Sequence, residues 1–289
     1  MFLNPKAQAE LLAREGLPPG VADQIDGLWG PLAGRALAER GRLGRTTVLG
    51  LCGPQGSGKS TGALVLRALL REAGASAAIL SLDDLYLGKV ERGRLAADVH
   101  PLFATRGPPG THDVDLGLAV LDALAAAGPV RLPRFEKAVD DRAAPADWPL
   151  VEAPVDVVIF EGWCVGARPQ PAKDLAAPVN ALEAKADPDG AWRRAVNDTL
   201  AGAYQSLFGR IDTLALLRPP SFAAVLGWRL EQEHKLRART GGGMGDAEVV
   251  RFIQHYERLS RWIDLEMPSR AGVAAELDGA RRPLSVRFD

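Results

Sequence analysis

The sequence predicts an α/β fold, a doubly wound and mostly parallel sheet with helices on its faces and a helical N-terminal extension. Three observations predict it. Short apolar runs rich in β-branched residues alternate with longer stretches whose apolar residues recur at helical spacing. The first such run, TTVLGLC at 46–52, passes directly into a glycine-rich turn and then into a helix-spaced segment. No internal repeat and no linker interrupts the 289 residues, so one main domain over 46–289 follows an extension over 1–45.

The elements follow in order. Residues 5–42 are Ala- and Leu-rich and read as helices broken at GLPPG and WGPLAG. After the strand at 46–52, GKSTGALVLRALLREAG from Gly58 reads as a helix stopped by Gly74. ASAAILSL reads as a second strand, and DVDLGLAVLDALAAAG as a helix opened by an aspartate. VDVVIFEGW is the plainest buried strand. GAWRRAVNDTLAGAYQSLF reads as a helix, IDTLALL as a strand, and SFAAVLGWRLEQEHKLRART as a helix with Ser221 as its cap. A last long helix starts at Asp246 and sets Val249, Phe252, Ile253, Tyr256 and Ile263 on one side, which makes Tyr256 a core residue. The tail VAAELDGARRPLSVRF reads as two strands about a turn, and the Pro/Gly-rich stretches at 106–111 and 168–178 read as loops.

Composition narrows the function classes. With 35 Lys plus Arg against 36 Asp plus Glu, the net charge is −1, without the basic excess that nucleic acid or an anionic membrane surface attracts. The two cysteines, Cys52 and Cys164, form neither a metal-binding spacing nor a disulfide framework. MFLNPKAQAELLAREG lacks the apolar centre of a signal peptide, and no apolar run reaches a membrane-spanning length. The expectation is a cytoplasmic protein that acts on a small molecule. The oligomeric state is not legible.

The run GPQGSGKST carries the chemistry. Gly53, four residues, then Gly58, Lys59 and Ser60 complete the phosphate-binding loop pattern of a P-loop NTPase-type fold, between a strand and a helix as that pattern requires. Glycines let successive backbone N–H groups turn inward on the phosphates, and the helix start adds its positive end. The nucleotide-binding set is Gly53, Pro54, Gln55, Gly56, Ser57, Gly58, Lys59, Ser60 and Thr61. Lys59 reaches the β- and γ-phosphates, and the Ser60 hydroxyl serves magnesium. The pattern alone does not separate a kinase from an ATPase or a GTPase switch.

Ligands of such sheets sit at the carboxyl ends of the strands. Two strand ends carry acids: Asp83 and Asp84 after AAILSL, and Glu161 after VDVVIF. Glu161 is the candidate to hold magnesium with Ser60, and Asp83 the candidate general base for an attacking hydroxyl. Asp156, at the opposite end of its strand, is set aside.

The ordered motifs GPQGSGKST, LSLDDLY, RGPPGTHD, PRFEKAVDDR, VIFEGW, WRLEQE and MGDAEV resemble the D-glycerate 3-kinases, relatives of phosphoribulokinase, uridine kinase and pantothenate kinase. The resemblance covers roughly residues 46–262. It implies ATP and Mg2+ as cofactors, a small carboxylated alcohol as acceptor, Asp83 as catalytic base, and a role for Glu161 beside Lys59. It departs from the family pattern at Leu85, where Phe is usual, and at Gly245, where a Ser or Thr cap is usual and Asp246 is the substitute.

Acceptor-side candidates are Asp83, Tyr86, Arg106, His112, Asp113 and Lys137, with Arg134 and Arg142 as further anion partners. Arg106 offers a bidentate fork for a carboxylate, whereas Asp113 equally fits as a helix cap. The resemblance implies a helical lid, with Arg229, Lys235, Arg237 and Arg239 as its basic residues and 241–243 as a glycine hinge. Glu231–Lys235 and Glu233–Arg237 stand four apart, the spacing of an ion-paired surface helix. The expected activity is phosphoryl transfer from ATP, D-glycerate being the leading acceptor. A pantothenate- or uridine-type kinase, or an ATPase or nucleotide-gated interaction protein without acceptor, are the alternatives.

Overall fold

β1 (Thr47–Cys52) owes its place to its composition: six residues apolar enough to be buried on both faces. The computed structural model describes residues 4–289. Ahead of β1 lie α1 (Pro5–Arg14), α2 (Ala22–Gln24) and α3 (Gly30–Leu43). After it come α4 (Lys59–Glu72), β2 (Ala77–Ser81), α5 (Lys89–Asp98) and α6 (Val114–Ala125). Two small antiparallel pairs follow, β3 (Gly128–Arg131) with β6 (Leu150–Ala153) and, between them in sequence, β4 (Phe135–Glu136) with β5 (Asp141–Arg142). β7 (Val157–Gly162), α7 (Ala181–Ala186), α8 (Ala191–Ala201), α9 (Ala203–Phe208) and β8 (Thr213–Arg218) lead to the long hairpin of α10 (Phe222–Thr240) and α11 (Asp246–Glu266). The described chain closes with β9 (Val273–Leu277) and β10 (Pro283–Phe288).

The main sheet runs β10-β9-β8-β1-β7-β2. All its pairings are parallel except β9 with β10 at one edge. The doubly wound, mostly parallel fold is therefore present. β1 and β7 are wholly buried at its centre, whereas edge strand β2 alternates buried and half-buried residues. The register sets Cys52 opposite Gly162 and Ser81 opposite Glu161, so the strand ends that precede the glycine loop, Asp83 and the Glu161 turn lie side by side.

The N-terminal helices pack into the same buried cluster: Leu11, Leu12, Ile25, Leu28, Trp29 and Leu32 join Leu49, Leu66 and Ile159. Trp29 rests on α4 at Gly62, where an added Cβ would meet its ring at 2.2 Å. The expected break at WGPLAG is absent. The chain stays helical from Ala22 to Leu43, widening to a π-turn at Ile25–Trp29 that closes on the Gly30 N–H. Pro31, which lacks an N–H, follows that turn.

The helix expected over GAWRRAVNDTLAGAYQSLF is two, because Gly202 leaves helical geometry (ψ −114°) between α8 and α9. α5 and the strands β3 to β6 had no clear periodicity; their charged and Pro-rich stretches are ordered by tertiary contacts. Asp246 does not cap α11. Its carboxylate pairs with Arg237, and the Glu248 side chain accepts the Gly245 N–H at 2.7 Å instead.

Candidate active site

The glycine loop is shaped from behind. Gly56 has φ +79°, and a Cβ there would stand 2.4 Å from the Cβ of Trp228 on α10. Arg281 donates to the Gly56 carbonyl (2.6 Å) and lies 5.4 Å over the Trp228 ring, whose Nε1–H donates to the Gly279 carbonyl (2.7 Å). Loop conformation is thus fixed by α10 and by the turn between β9 and β10. Gly58 (φ +89°) ends the loop, and Lys59 opens α4. The Ser57 hydroxyl and the Gln55 side-chain amide oxygen are buried without a hydrogen-bond partner among the described residues.

Ser60 and Glu161 meet directly. The Ser60 hydroxyl donates to one Glu161 oxygen at 2.9 Å, and the Ser81 hydroxyl to the same oxygen at 3.1 Å. The other Glu161 oxygen, Oε2, is buried without a partner among the described residues. A buried carboxylate with one oxygen unspoken for, beside a loop hydroxyl, fits magnesium carried in by a nucleotide: such an ion takes one or two protein ligands and completes its shell from phosphates and water. Among the described residues there is no cluster of three or more His, Cys, Asp or Glu that would hold a metal alone.

Asp83 stands at the end of β2, its side chain 27% exposed. Lys137 donates to one of its oxygens at 2.6 Å and the Tyr86 hydroxyl to the other at 3.0 Å. Burial pushes the Asp83 carboxyl up, but the charges of Lys137 and Lys59, with those two hydrogen bonds, outweigh it and hold it well below the usual carboxylate value. Reciprocally, the Asp83 charge raises the Lys137 ammonium against burial. Neighbouring Asp84 does a different job: it accepts the Phe135 N–H and an Arg134 N–H, both at 3.0 Å, and burial raises its carboxyl. The two adjacent acids are therefore divided, Asp83 toward Lys59 and Asp84 toward the β4 strand.

The remaining acceptor-side candidates fall into two groups. Tyr86 stacks on His112 (centroids 4.6 Å apart) and meets Phe135 edge-on. His112 is buried, its Nδ1 2.6 Å from the Tyr204 hydroxyl, and burial lowers its pKa to about 3, so the ring is neutral. Asp113 caps α6 by accepting the Leu116 N–H (3.0 Å) and pairs with Arg142 (3.2 Å), so its cap reading is realised. Arg106 pairs with Asp140, and its carbonyl accepts the Tyr256 hydroxyl (3.1 Å). At Gly107 (φ +131°) a Cβ would lie 2.0 Å from that hydroxyl, and its carbonyl accepts the Trp163 Nε1–H at 3.0 Å. Tyr256, read from the sequence as core, is buried but also orders this loop.

The four lid candidates do not gather on the site. Arg229 pairs with Glu233 (2.5 Å) and lies over Phe252; its charge lowers the pKa of Tyr256, a group that burial chiefly raises. Lys235 pairs with Glu231 (2.5 Å), as the spacing suggested. Arg237 pairs with Asp246 across the helix hairpin rather than with Glu233, which holds Arg229 and accepts the Met244 N–H at 2.7 Å. Arg239 is exposed near the end of α10. Residues 241–243 turn the hairpin. Residues absent from the sequence reading are Ser81, Arg92, Asp140, Tyr204 and Arg281; each is a single polar residue whose partner lies far away in the chain, with no local pattern to mark it.

A glycine cradle, a Ser–Glu pair and a strand-end aspartate in the field of the loop lysine define a phosphoryl-transferring enzyme, an ATP-dependent kinase built on a P-loop sheet. The chain is 38% identical over 224 residues to a Schizosaccharomyces pombe protein named uncharacterized kinase mug58, covering 74% of this chain and 79% of that one. It is 32% identical over 220 residues to the chloroplastic D-glycerate 3-kinase of Arabidopsis thaliana, covering 72% of this chain and 46% of that longer one. The solved D-glycerate 3-kinase of Cryptococcus neoformans superposes with a TM-score of 0.76 at 28% identity, over 90% of this chain and 98% of that chain. No protein-family model matches. The chain belongs to the D-glycerate 3-kinase family.

Among the described residues no helix is long and apolar enough to cross a membrane.

Proposed function

We propose that the chain transfers the γ-phosphoryl group of ATP to a hydroxyl of a small carboxylated alcohol, with D-glycerate the acceptor and 3-phosphoglycerate the product. The observation that carries this reading is the position of Asp83 between Lys59, whose charge it feels, and a wall of cations in which Lys137 pairs with it directly and Arg106 acts on Lys137 and on Tyr86. An ATPase or switch needs neither the base nor that wall. The names of the Arabidopsis and Cryptococcus relatives support D-glycerate in particular.

In this reading the loop N–H groups and Lys59 hold the triphosphate. Ser60 and Glu161 would hold magnesium, which would supply positive charge to offset that of the phosphates. Asp83 accepts the hydroxyl proton. A carboxylate held so far below its usual value is a poor base, so the Lys137 contact is broken when the acceptor hydroxyl takes its place on Asp83, which restores basicity. Lys137 is then free to meet the transferring phosphoryl group.

A coupled ADP-release assay over a panel of D-glycerate, L-glycerate, glycerol, pantothenate and uridine tests the reading. D-glycerate-dependent turnover is expected. Turnover restricted to pantothenate or uridine overturns the acceptor, and ADP release indifferent to every alcohol overturns the kinase assignment of the site.

A further inference from the structure

Arg92 and Arg106 converge on one carboxylate, that of Asp140. Arg92 donates to it at 2.6 and 3.3 Å and Arg106 reaches the same group. Both guanidiniums also lie over the ring of Phe135, at 5.7 and 5.6 Å from its centroid. Two cations thus share one anion, and no second acidic side chain pairs with either among the described residues. Arg92 is 1% exposed, so a full charge is buried here, and its Nε has no partner among the described residues. Asp140 itself is 34% exposed and covers the fork from the solvent side.

Asp140 does not belong to a strong element. It sits with φ +59° in the turn between the two-residue strands β4 and β5, a hairpin with little ladder to hold it. The same hairpin carries Lys137, whose ammonium is on Asp83. One short segment therefore puts an anion on the arginine fork and a cation on the base. The fork and the base share one neighbourhood, since the Arg106 charge acts on both Lys137 and Tyr86, and the Tyr86 hydroxyl touches Asp83 at 3.0 Å. A molecule bearing a carboxylate a few atoms from a hydroxyl matches these two positions together.

We infer that Arg92 and Arg106 form the binding site for the acceptor's carboxylate, and that Asp140 is its internal occupant, displaced when the acceptor binds. This rests on the acceptor reading above and adds the residues that select a carboxylate and the competitor they must lose. The two net charges favour an anion, and the planar forks favour a carboxylate over a rounder ion. The same displacement moves the β4–β5 hairpin and with it Lys137, so carboxylate recognition and release of the base are one event.

The test is isothermal titration of D-glycerate into the nucleotide-free full chain, with melting temperatures and steady-state kinetics for each variant. Asp140→Asn removes the competitor's charge and is expected to tighten D-glycerate binding at least threefold. Arg106→Gln is expected to weaken it by about tenfold or more, the scale of one charge-assisted pair, with the KM for ATP within about twofold of wild type. Arg92→Lys tests the buried arm. Should it fail to fold, the half-exposed Arg106 and Asp140 variants still decide. Unchanged or weaker binding in Asp140→Asn at an unchanged melting temperature overturns the inference, as does absence of D-glycerate binding to wild type. If D-glycerate is phosphorylated with a KM that neither Arg106→Gln nor Asp140→Asn moves, this site is wrong and the acceptor reading stands. If it binds in an Arg106-dependent way without being phosphorylated, the site stands and the acceptor reading is wrong.

Discussion

The two halves of the active site are built differently. The phosphate half is made of backbone: a loop whose glycines adopt φ +79° and +89°, braced by Trp228 and Arg281, with Glu161 fixed by two hydroxyls. The acceptor half is made of side-chain ion pairs that occupy one another: Lys137 with Asp83, Arg106 and Arg92 with Asp140, Arg142 with Asp113. On the proposed reading, the difference means that nucleotide binding is preorganised, whereas acceptor binding exchanges partners.

The largest effect that sharpens the contrast is expected at Lys59. Lys59→Ala is expected to lower kcat/KM by about 10³-fold and to weaken ATP binding, because it removes a charge from the preformed half. Glu161→Gln comes next, with kcat lowered by about 10²-fold and a higher magnesium concentration needed for half-maximal rate. Measurement of rate against magnesium checks it, and an unmoved magnesium requirement contradicts the role given to Glu161.

Backbone fit gives the next tier. Gly56→Ala puts a methyl group 2.4 Å from Trp228 at a positive φ, and is expected to cost about 1–3 kcal/mol of stability together with ATP affinity. Gly107→Ala drives a methyl into the Tyr256 hydroxyl and is expected to cost a similar amount while sparing ATP affinity and raising the acceptor KM. Denaturant melts with ATP titrations separate the two. If both variants lose ATP binding equally, the two halves are not independent.

Near neutral pH the smallest effect is that of pH on stability, and it grows only on acidification. Burial holds folded His112 at a pKa of about 3 and His255 at about 4, against 6.5 for a free imidazole. Below pH about 6.5 the unfolded chain binds protons that these folded rings refuse. Stability therefore falls as pH drops, by about 1.4 kcal/mol per pH unit for each ring, until the folded pKa is reached. Asp83 adds loss in the same direction but at lower pH, as its folded carboxyl is below its usual value. His112→Phe is expected to flatten the slope of melting temperature between pH 6.5 and 4. An unaltered slope means that the buried ring is not the source.

The phosphate half was legible because its signal is local: strand, glycine loop and helix occupy consecutive residues, and periodicity marks each. The strand-end acids were legible because a buried parallel strand reads as an apolar run with its acid at the end. The acceptor half was only partly so. Arg106 and Lys137 stood out by charge in a loop, but their partners, 34 residues away in Asp140 and 54 away in Asp83, are set by tertiary folding. Arg92 carried no signal, because one arginine in a charged helix looks like any solvated residue until the β4–β5 hairpin buries it. The lid candidates show the reverse case, in which helical spacing foretold the Glu231–Lys235 pair and misassigned Arg237, whose partner Asp246 comes from the next helix.

The account turns on Asp83 accepting the proton of the acceptor hydroxyl as that oxygen attacks the γ-phosphorus. Rapid-quench phosphoryl transfer from radiolabelled ATP to saturating D-glycerate, in wild type and Asp83→Asn, with ATP affinity measured alongside, tests it most directly. The expected result is a transfer rate lower by about 10²–10⁴-fold in the variant at ATP affinity within about twofold of wild type. A transfer rate equal to wild type would remove Asp83 from the chemistry and contradict the account.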